Sequence, residues 1–336
     1  MFKIACYGVR PNEVATFNKY NNYDYDLTLI EDLLTHDNIE TAKGHDAVLL
    51  RANCAADAQN LAKLNEYGIR CVFTRTVGYG HIDLAAAGKY NMEVARVPAY
   101  SPNAIAELAL TLGMSLLRHT TYTTNRTAHH DFRVSPVMFS KEVRNCTVGI
   151  IGTGKIGYTE AKLYKGLGAK VVGYDLYPSE IAKEVLDFVS LDELLAQSDI
   201  VSLHIPYFAG QNDQFINADL IAKMKNDAIL VNTARGQLQD NRAIIDALKA
   251  NQLGAFAADV LPAEGEIFFK QFPADQPVPD ATTQELIDLY PRVLLTPHVG
   301  SNTDEALKNM VEISFENFHE ILTTGKTQNS VATTEN

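Results

Sequence analysis

Three side chains in the second half of the sequence have the types needed for acid/base chemistry beside a bound carboxylate. Arg235, Glu264 and His298 each follow a different apolar, strand-like segment. Arginine can bind a carboxylate through two parallel hydrogen bonds, and histidine can exchange a proton with a hydroxyl or carbonyl group. A carboxylate behind the histidine would fix its tautomer and favour its protonated form. Because the carboxyl ends of parallel strands meet at one edge of a sheet, the three residues predict an active site there.

Each of these residues also has an ordinary structural interpretation. Taken singly, Arg235 could be a surface ion-pair residue, and a lone histidine such as His298 is usually structural. The functional interpretation is favoured because the three residues stand on three strand ends of one domain. Whether Glu264 or the nearby Glu266 faces the histidine stays open.

A glycine-rich turn precedes these residues and joins a predicted strand to a helical pattern. It reads Gly152-Thr153-Gly154-Lys155-Ile156-Gly157, and Asp175 ends the next predicted strand 21 residues after Gly154. Glycines permit a tight turn, close approach of the backbone to a pyrophosphate, and packing of helix on strand. The helix N-terminus attracts phosphate, and an acid at this distance can accept hydrogen bonds from a ribose. The segment predicts a dinucleotide site; the alternative is a glycine turn without a ligand.

Length and composition are typical of a globular protein with two domains. The 336 residues exceed the usual size of one hydrophobic core, and 46% of them are hydrophobic and 21% charged. The net charge of −12, with no basic cluster, argues against nucleic acid and anionic membranes as partners. The longest uncharged apolar run, 108–117, is about half of what a bilayer crossing requires.

The cysteines predict a reducing environment and no metal site. Cys6, Cys54, Cys71 and Cys146 show neither CxxC nor Cys/His ligand spacing, and most lie in apolar strand-like segments. They are expected to be buried free thiols. The sequence opens in a strand pattern without a signal-peptide pattern, so we expect a cytoplasmic protein.

Strand-like and helical segments alternate along both halves of the chain. This alternation predicts two doubly wound α/β domains with parallel sheets. The first half has no glycine fingerprint after its first strand, at Gly8, so the substrate is its expected ligand. No arginine follows Asp175 to accept a 2′-phosphate, which favours NAD over NADP.

Five further segments carry local predictions. Ser101-Pro102-Asn103 predicts a helix start, and residues 104–117, apolar on almost every face, predict a helix buried on all sides. Residues 122–141 are polar and irregular and could form a dimer arm, with a solvated surface as the alternative. A long insertion spans 262–290, a helix is expected from His298 to about residue 322, and residues 325–336 are expected to be frayed.

Several of these segments together resemble the signatures of the D-2-hydroxyacid dehydrogenases, a family that includes D-lactate dehydrogenase. The matching segments are 231–236 (Val-Asn-Thr-Ala-Arg-Gly), Asp259-Val260 with Glu264, and 296–301 (Thr-Pro-His-Val-Gly-Ser). The glycine fingerprint and the segments 77–83 and 100–107 match further family patterns. The resemblance covers essentially the whole chain.

The resemblance implies a Rossmann NAD domain, residues 101–299, inserted in a flavodoxin-like substrate domain, residues 1–100 and 300–336. It also implies a homodimer formed through the NAD domain and a 2-oxo or 2-hydroxy acid substrate. In this family pattern Arg235 binds substrate, His298 is the acid/base and Glu264 partners the histidine. Backbone N–H groups of Val77 and Gly78 help hold the substrate carboxylate, with Tyr100 beside them. The cofactor would be lined by Gly152, Gly154, Lys155, Ile156, Gly157, Asp175, Ile205, Pro206, Asn212, Thr233, Ala234 and Asp259.

The sequence departs from the pattern of typical D-lactate enzymes at Arg51, where an aromatic residue usually closes over a small substrate side chain. A cation there could bind a second carboxylate, as in enzymes similar to (R)-2-hydroxyglutarate dehydrogenase. The alternative is a structural pairing of Arg51 with an acid such as Asp46 or Glu66. The main prediction is an NAD-dependent D-2-hydroxyacid dehydrogenase that reduces a pyruvate-like 2-oxo acid. The rivals are reduction of 2-oxoglutarate and, less favoured, a non-catalytic NAD(H)-sensing protein.

Overall fold

The computed structural model describes residues 1–333, which form two compact units. One unit consists of Met1–Ser101 and the chain from Asn302 onward, and the other of Pro102–Ser301. The expected boundaries lie one or two residues from these positions. Each unit is an α/β structure built on one parallel sheet, so the predicted fold class is confirmed.

The strands follow the apolar segments of the sequence, because β-branched and aromatic residues suit a buried pleated surface. They are β1 (Lys3–Tyr7), β2 (Asp26–Ile30), β3 (Ala47–Leu50), β4 (Cys71–Thr74), β5 (Glu93–Ala95), β6 (Thr147–Ile151), β7 (Lys170–Tyr174), β8 (Asp187–Phe188), β9 (Ile200–Leu203), β10 (Ile229–Asn232), β11 (Ala255–Ala258) and β12 (Val293–Leu295).

The helices lie between the strands along the chain, as the crossover connections of parallel sheets require. They are α1 (Val14–Lys19), α2 (Ala58–Glu66), α3 (Leu84–Lys89), α4 (Pro102–Leu117), α5 (Thr120–Ala128), α6 (Lys155–Gly166), α7 (Leu191–Gln197), α8 (Ala218–Ile221), α9 (Asn241–Lys249), α10 (Glu264–Ile267), α11 (Ala281–Asp288) and α12 (Asp304–Thr324). Within residues 1–333, every helix is too short or too polar to span a lipid bilayer.

The first unit has a five-stranded sheet in the order β2-β1-β3-β4-β5. All its ladders are parallel. The order reverses between β1 and β3, and ligands of doubly wound sheets bind at such a switch point. One face of the sheet packs on α12, where Phe315 and Phe318 are fully buried against Phe17 and Phe73.

The second unit has a seven-stranded parallel sheet in the order β12-β11-β10-β9-β6-β7-β8. Its switch point lies between β6 and β9, directly beside the glycine turn that follows β6. Helix α4 lies against one face and is buried through Ala109, Leu112 and Leu116. The expected helix is present and begins at Pro102, directly after Ser101, as the helix-start pattern predicts. The prediction that it is buried on all sides was wrong: Glu107 and Thr111 are exposed, and Leu110 is only half-buried.

Three other local predictions were wrong. Residues Thr120–Ala128 form α5 instead of an irregular segment; threonine hydroxyls such as Thr124 Oγ1, which can compete for backbone groups in other conformations, here donate to carbonyls one turn earlier. The last long helix begins at Asp304, capped by Thr303, rather than at His298. The chain after α12 is anchored as far as Val331, whose N–H donates to Val94 O at 2.8 Å. The rest of the expected frayed tail, residues 334–336, lies outside the described residues.

All four cysteines are free thiols. Cys6, Cys54 and Cys146 are buried as predicted, while Cys71 is half-buried. Burial raises the pKa of Cys6 to about 12 and that of Cys71 to about 11. These two thiols therefore stay protonated, and unreactive, near neutral pH.

Candidate active site

The glycine turn after β6 has three glycines with three different constraints. Gly152 has a φ of +90°, and a Cβ there would lie 2.7 Å from the carbonyl carbon of His204. A Cβ on Gly157 would lie 2.0 Å from Gly152 O, so only glycine lets α6 approach the strand. A Cβ on Gly154 would meet no atom within 4 Å. The middle glycine therefore faces open space, as the expected approach of a pyrophosphate requires.

Two further features fit a bound dinucleotide. Helix α6 begins after Gly154 without a side-chain cap, so N–H groups of Lys155 and Ile156 in its first turn are available to an anion. Thr233, at the end of β10, is buried, and its Oγ1 has no hydrogen-bond partner among residues 1–333. A buried hydroxyl without a partner is costly unless a ligand supplies one. The chain's own residues therefore fit NAD.

Asp175 directly follows β7 and is hydrogen-bonded to the glycine turn. Its Oδ2 accepts hydrogen bonds from Thr153 N at 2.7 Å and Thr153 Oγ1 at 3.1 Å, and its Oδ1 accepts one from Tyr177 N at 2.9 Å. Three of about four acceptor positions are thus engaged by the protein. The remaining position, on Oδ1, is the one left for a ribose hydroxyl.

The other expected cofactor residues lie at the ends of β9 and β10. Asn212 closes the loop after β9: its Oδ1 accepts from Phe208 N at 2.7 Å, and its Nδ2 donates to Pro206 O at 2.8 Å. Ile205 and Ala234 are both half-buried and contribute apolar surface. The loop geometry is therefore fixed by one amide side chain.

His298 and Glu264 come together within the second unit. His298 Nδ1 lies 3.2 Å from Glu264 Oε1, and both side chains are about one-third exposed, at 38% and 29%. Glu266 is exposed on the first turn of α10. Since Nδ1 faces the carboxylate, Nε2 of His298 is the ring atom left to exchange a proton with a substrate.

Asp259 organises the loop that carries His298. Its carboxylate is buried and accepts hydrogen bonds from Thr296 Oγ1 at 2.6 Å and from the N–H groups of Val299 and Gly300 at 2.8 Å. Burial raises the pKa of Asp259, while the hydrogen bonds and nearby His298 oppose that shift. His298 itself has a φ of +54°, which is unusual for a residue with a Cβ. The bonds to Asp259 hold this backbone in place.

Arg235 is exposed at the end of the loop after β10. Its Nη1 donates to Ala234 O at 2.6 Å. The loop is held by Asn232, which is buried: Nδ2 donates to Arg235 O at 2.9 Å, and Oδ1 accepts from Ala234 N at 2.9 Å. Asn232 therefore fixes the backbone from which the guanidinium projects.

In the first unit, the loop after β4 offers main-chain donors. The N–H groups of Val77 and Gly78 make no hydrogen bond to any acceptor in residues 1–333. Adjacent free N–H groups favour an anion. His81, nearby in sequence, is neutral near pH 7, because burial lowers its pKa to about 4. The expected Tyr100 is half-buried, and its carbonyl accepts from Asn309 Nδ2 at 2.5 Å.

Arg51 directly follows β3, beside the switch point of the first unit. Gly8, after β1, has a φ of +69°, and a Cβ there would lie 3.1 Å from Arg51 Cβ. Burial, followed by repulsion from Arg75 and Arg10, lowers the pKa of Arg51 to about 10, and the negative charge of nearby Glu13 opposes this shift. The acids expected as structural partners have other contacts: Asp46 accepts from Lys3 N at 2.7 Å, and Glu66 lies 2.8 Å from Lys63 Nζ.

A buried carboxylate–histidine contact next to the glycine turn was not predicted from the sequence. Glu160, on α6, lies with its Oε2 2.5 Å from His204 Nε2, and both side chains are almost fully buried. His204 N donates to Ile151 O at 2.8 Å, so the pair links α6 to the two strands at the switch point. The sequence feature that could have indicated this contact is the position of Glu160 on the buried face of α6, which is otherwise formed by Gly157, Ala161 and Tyr164.

The family comparison covers the second unit. A family model described as D-isomer specific 2-hydroxyacid dehydrogenase, NAD binding domain, matches residues 110–300. This range contains the glycine turn, Arg235, Glu264 and His298. The match and the fit of the residues agree on NAD as the cofactor.

Relatives that match nearly the whole chain include a D-lactate dehydrogenase and an aromatic 2-oxoacid reductase. The sequence is 38% identical over 332 residues to a D-lactate dehydrogenase of Lactiplantibacillus plantarum, covering 98% of this chain and 99% of that protein. It is 36% identical over 329 residues to an aromatic 2-oxoacid reductase of Clostridium sporogenes, covering 97% and 98%. The structure matches a crystal structure of D-lactate dehydrogenase with NAD+ from Lactobacillus jensenii with a TM-score of 0.84 and 34% identity, covering 98% of this chain and 99% of that one. The chain therefore belongs to the D-2-hydroxyacid dehydrogenase family and is an NAD-dependent enzyme of that family.

Proposed function

We propose that this enzyme reduces a small, pyruvate-like 2-oxo acid to the (R)-2-hydroxy acid. The observation that carries the proposal is the contact of His298 Nδ1 with Glu264 Oε1, in the unit that also holds the glycine turn and Arg235. The names of the relatives support the substrate class, since one is a D-lactate dehydrogenase and another an aromatic 2-oxoacid reductase.

The residues have distinct roles in the proposed reaction. Arg235 binds the substrate carboxylate through its guanidinium fork and polarises the adjacent carbonyl group. Bound NADH supplies the hydride that C2 receives. His298 donates its Nε2 proton to the carbonyl oxygen, and Glu264 stabilises the protonated ring before that transfer. In the reverse direction the same nitrogen accepts the hydroxyl proton.

The remaining assignments follow from the chemistry of each group. Val77 and Gly78 donate their N–H groups to the substrate carboxylate, with Tyr100 lining that side. The N-terminus of α6 and Gly154 would hold the pyrophosphate of NAD, and Asp175 would hold its adenosine ribose. Asp259 would hold the carboxamide of the cofactor, in addition to the loop of His298. The first unit is thus the substrate domain and the second the NAD domain.

Glutamine substitutions at the two nearby glutamates separate their roles. Glu264→Gln removes the carboxylate that faces His298 Nδ1, so kcat for reduction should fall about tenfold, because the ring loses the charge-assisted hydrogen bond that orients it. Glu266→Gln serves as the matched control and should keep the wild-type kcat, because Glu266 is exposed. A loss of kcat in Glu266→Gln without a loss in Glu264→Gln would reverse the assignment.

The surroundings of Arg51 favour a second candidate, reduction of a 2-oxo dicarboxylate such as 2-oxoglutarate. Arg51 and Arg10 lie near Arg75, which is buried and pairs with Glu13 at 2.8 Å. Arg75 Nε has no hydrogen-bond partner among residues 1–333. Because the pKa of Arg51 is only lowered to about 10, the side chain stays cationic near neutral pH. An anionic group would be attracted to this end of β1 and β3.

Parallel assays of NADH oxidation with pyruvate, phenylpyruvate and 2-oxoglutarate distinguish the two candidates. We expect Arg51→Ala to lower kcat/KM for 2-oxoglutarate at least about tenfold, because a charge-assisted contact is lost, and to leave pyruvate nearly unchanged. Arg70→Ala, an exposed arginine of the same unit, is the control. If 2-oxoglutarate is the best substrate of the wild type, the dicarboxylate candidate replaces the pyruvate-like one. Equal loss for all three substrates would exclude a specific contact with the distal carboxylate.

We further propose a cytoplasmic homodimer formed through the second unit. The segment 132–139 exposes Phe132, Val134 and Phe139 by 75%, 77% and 78%. Such an apolar surface is characteristic of a contact with another protein chain. The buried free thiols suit a reducing compartment.

A further inference from the structure

We propose that Arg96 is a positioning residue for the substrate carboxylate, and that the chain segment after α12 holds Arg96 in place. Arg96 would act on the peptide between Val77 and Gly78 and need not touch the substrate itself. The inference deepens the proposed function, because it rests on the assignment of the N–H groups of Val77 and Gly78 to substrate binding.

The first step is the orientation of one peptide group. Arg96 Nη1 donates a hydrogen bond to Val77 O at 3.1 Å. The carbonyl of Val77 and the N–H of Gly78 belong to the same planar trans peptide, in which the two groups point in opposite directions. Arg96 thus fixes the carbonyl on one side and directs the Gly78 N–H to the other.

The next peptide is held in a similar way. Thr76 Oγ1 donates to Gly78 O at 2.7 Å, so the second carbonyl is also occupied. The N–H groups of Val77 and Gly78 have no acceptor among residues 1–333. Two carbonyls held by donors beside two unoccupied N–H groups form an anion-binding loop.

Arg96 also contributes charge to this loop. Its guanidinium carbon lies 5.5 Å from the ring centroid of Tyr79, which fixes the side chain along the loop. Within residues 1–333, the ion pairs do not include Arg96. Its positive charge is therefore not neutralised by a carboxylate and adds to the attraction of the loop for an anion.

The backbone of Arg96 is clamped by α12 and the segment that follows it. Arg96 N donates to Asn329 O at 3.2 Å, and Arg96 O accepts from Asn317 Nδ2 at 3.1 Å. Asn317 is 1% exposed, and its Oδ1 accepts from Thr327 Oγ1 at 3.0 Å and Asn329 Nδ2 at 2.7 Å. This buried network leaves Arg96 little freedom to move.

The segment also extends the edge of the sheet in the first unit. Ser330 forms an antiparallel bridge with Ala95, the last residue of β5. The N–H of Val331 donates to Val94 O at 2.8 Å. A structural element from the end of the chain is thus coupled, through one arginine, to the loop that binds the substrate carboxylate.

The proposal is tested by steady-state kinetics of Arg96→Met, Arg96→Lys and Asn329→Ala with pyruvate and NADH. We expect the KM for pyruvate to rise about tenfold in Arg96→Met, because the peptide loses its anchor and the loop its charge. The KM for NADH should stay within about twofold. Arg96→Lys retains a donor and the charge and should restore part of the loss, and Asn329→Ala should shift the KM for pyruvate in the same direction.

Controls separate positioning from stability and from the proposed function. Arg70→Met removes another arginine of the first unit, one that donates to Asn65 Oδ1 at 2.7 Å, and should leave both KM values unchanged. A fall in thermal midpoint with an unchanged KM for pyruvate in Arg96→Met and Asn329→Ala would overturn the inference and make Arg96 purely structural. Wild-type enzyme that reduces none of the 2-oxo acids would instead overturn the proposed function.

Discussion

Replacing His298 with asparagine is expected to lower kcat for reduction of the 2-oxo acid about 10³-fold, the middle of the range for losing a general acid. Asparagine is chosen because His298 has a φ of +54°, and asparagine tolerates this left-handed backbone better than most residues. The amide cannot deliver a proton, although it can still hydrogen-bond to Glu264. The effect should appear in kcat measured with saturating NADH and 2-oxo acid.

Binding of the cofactor provides the control for this variant. The glycine turn and the N-terminus of α6 do not involve His298, so the dissociation constant of NADH, measured by its fluorescence, should change less than about threefold. The loop 296–300 is held by Asp259, which the substitution leaves in place. A kcat within tenfold of the wild type would mean that another group transfers the proton.

The fold could be predicted because its elements carry strong local patterns. Apolar segments such as 147–151 can only be buried strands beside the glycine turn, and α4 is apolar on nearly all sides. Strand β8 was missed because it has two residues, too few for a periodic pattern. Helix α5 was missed because threonines have a low helix propensity and none of its residues is buried, so the segment has no apolar face that would indicate a helix.

The residues that carry the chemistry of the site could be predicted from the sequence, whereas the residues that hold them in place could not. Arg235, Glu264 and His298 could be named because their types at strand ends suggest acid/base chemistry. The polar residues that hold them, such as Asn232 and Asp259, act through hydrogen bonds whose partners only the folded loops bring near. Asn317 and Arg96 are 221 positions apart, and no local pattern of the sequence indicates that they meet.

Replacing Arg235 with lysine is expected to lower kcat/KM for the 2-oxo acid roughly 150-fold, which corresponds to a loss of about 3 kcal/mol of transition-state stabilisation. Lysine retains the charge but not the planar fork, so it cannot bind both oxygens of a carboxylate in parallel. The loop keeps its shape, because Asn232 bonds to main-chain groups of Ala234 and Arg235 that the substitution does not alter. We expect kcat to fall and KM to rise, because orientation of the carboxylate also aligns C2 for reduction.

The matched control for this variant is Arg242→Lys. Arg242 also pairs with a carboxylate, as its Nη2 lies 2.5 Å from Glu285 Oε1, but the pair is on the exposed face of α9. Its loss should change stability slightly and kcat/KM not at all. If Arg235→Lys behaved like Arg242→Lys, the arginine would be a surface ion-pair residue after all. A selective loss in Arg235→Lys, with unchanged NADH affinity, would instead mean that the guanidinium fork itself recognises the substrate, because charge alone is retained in both variants.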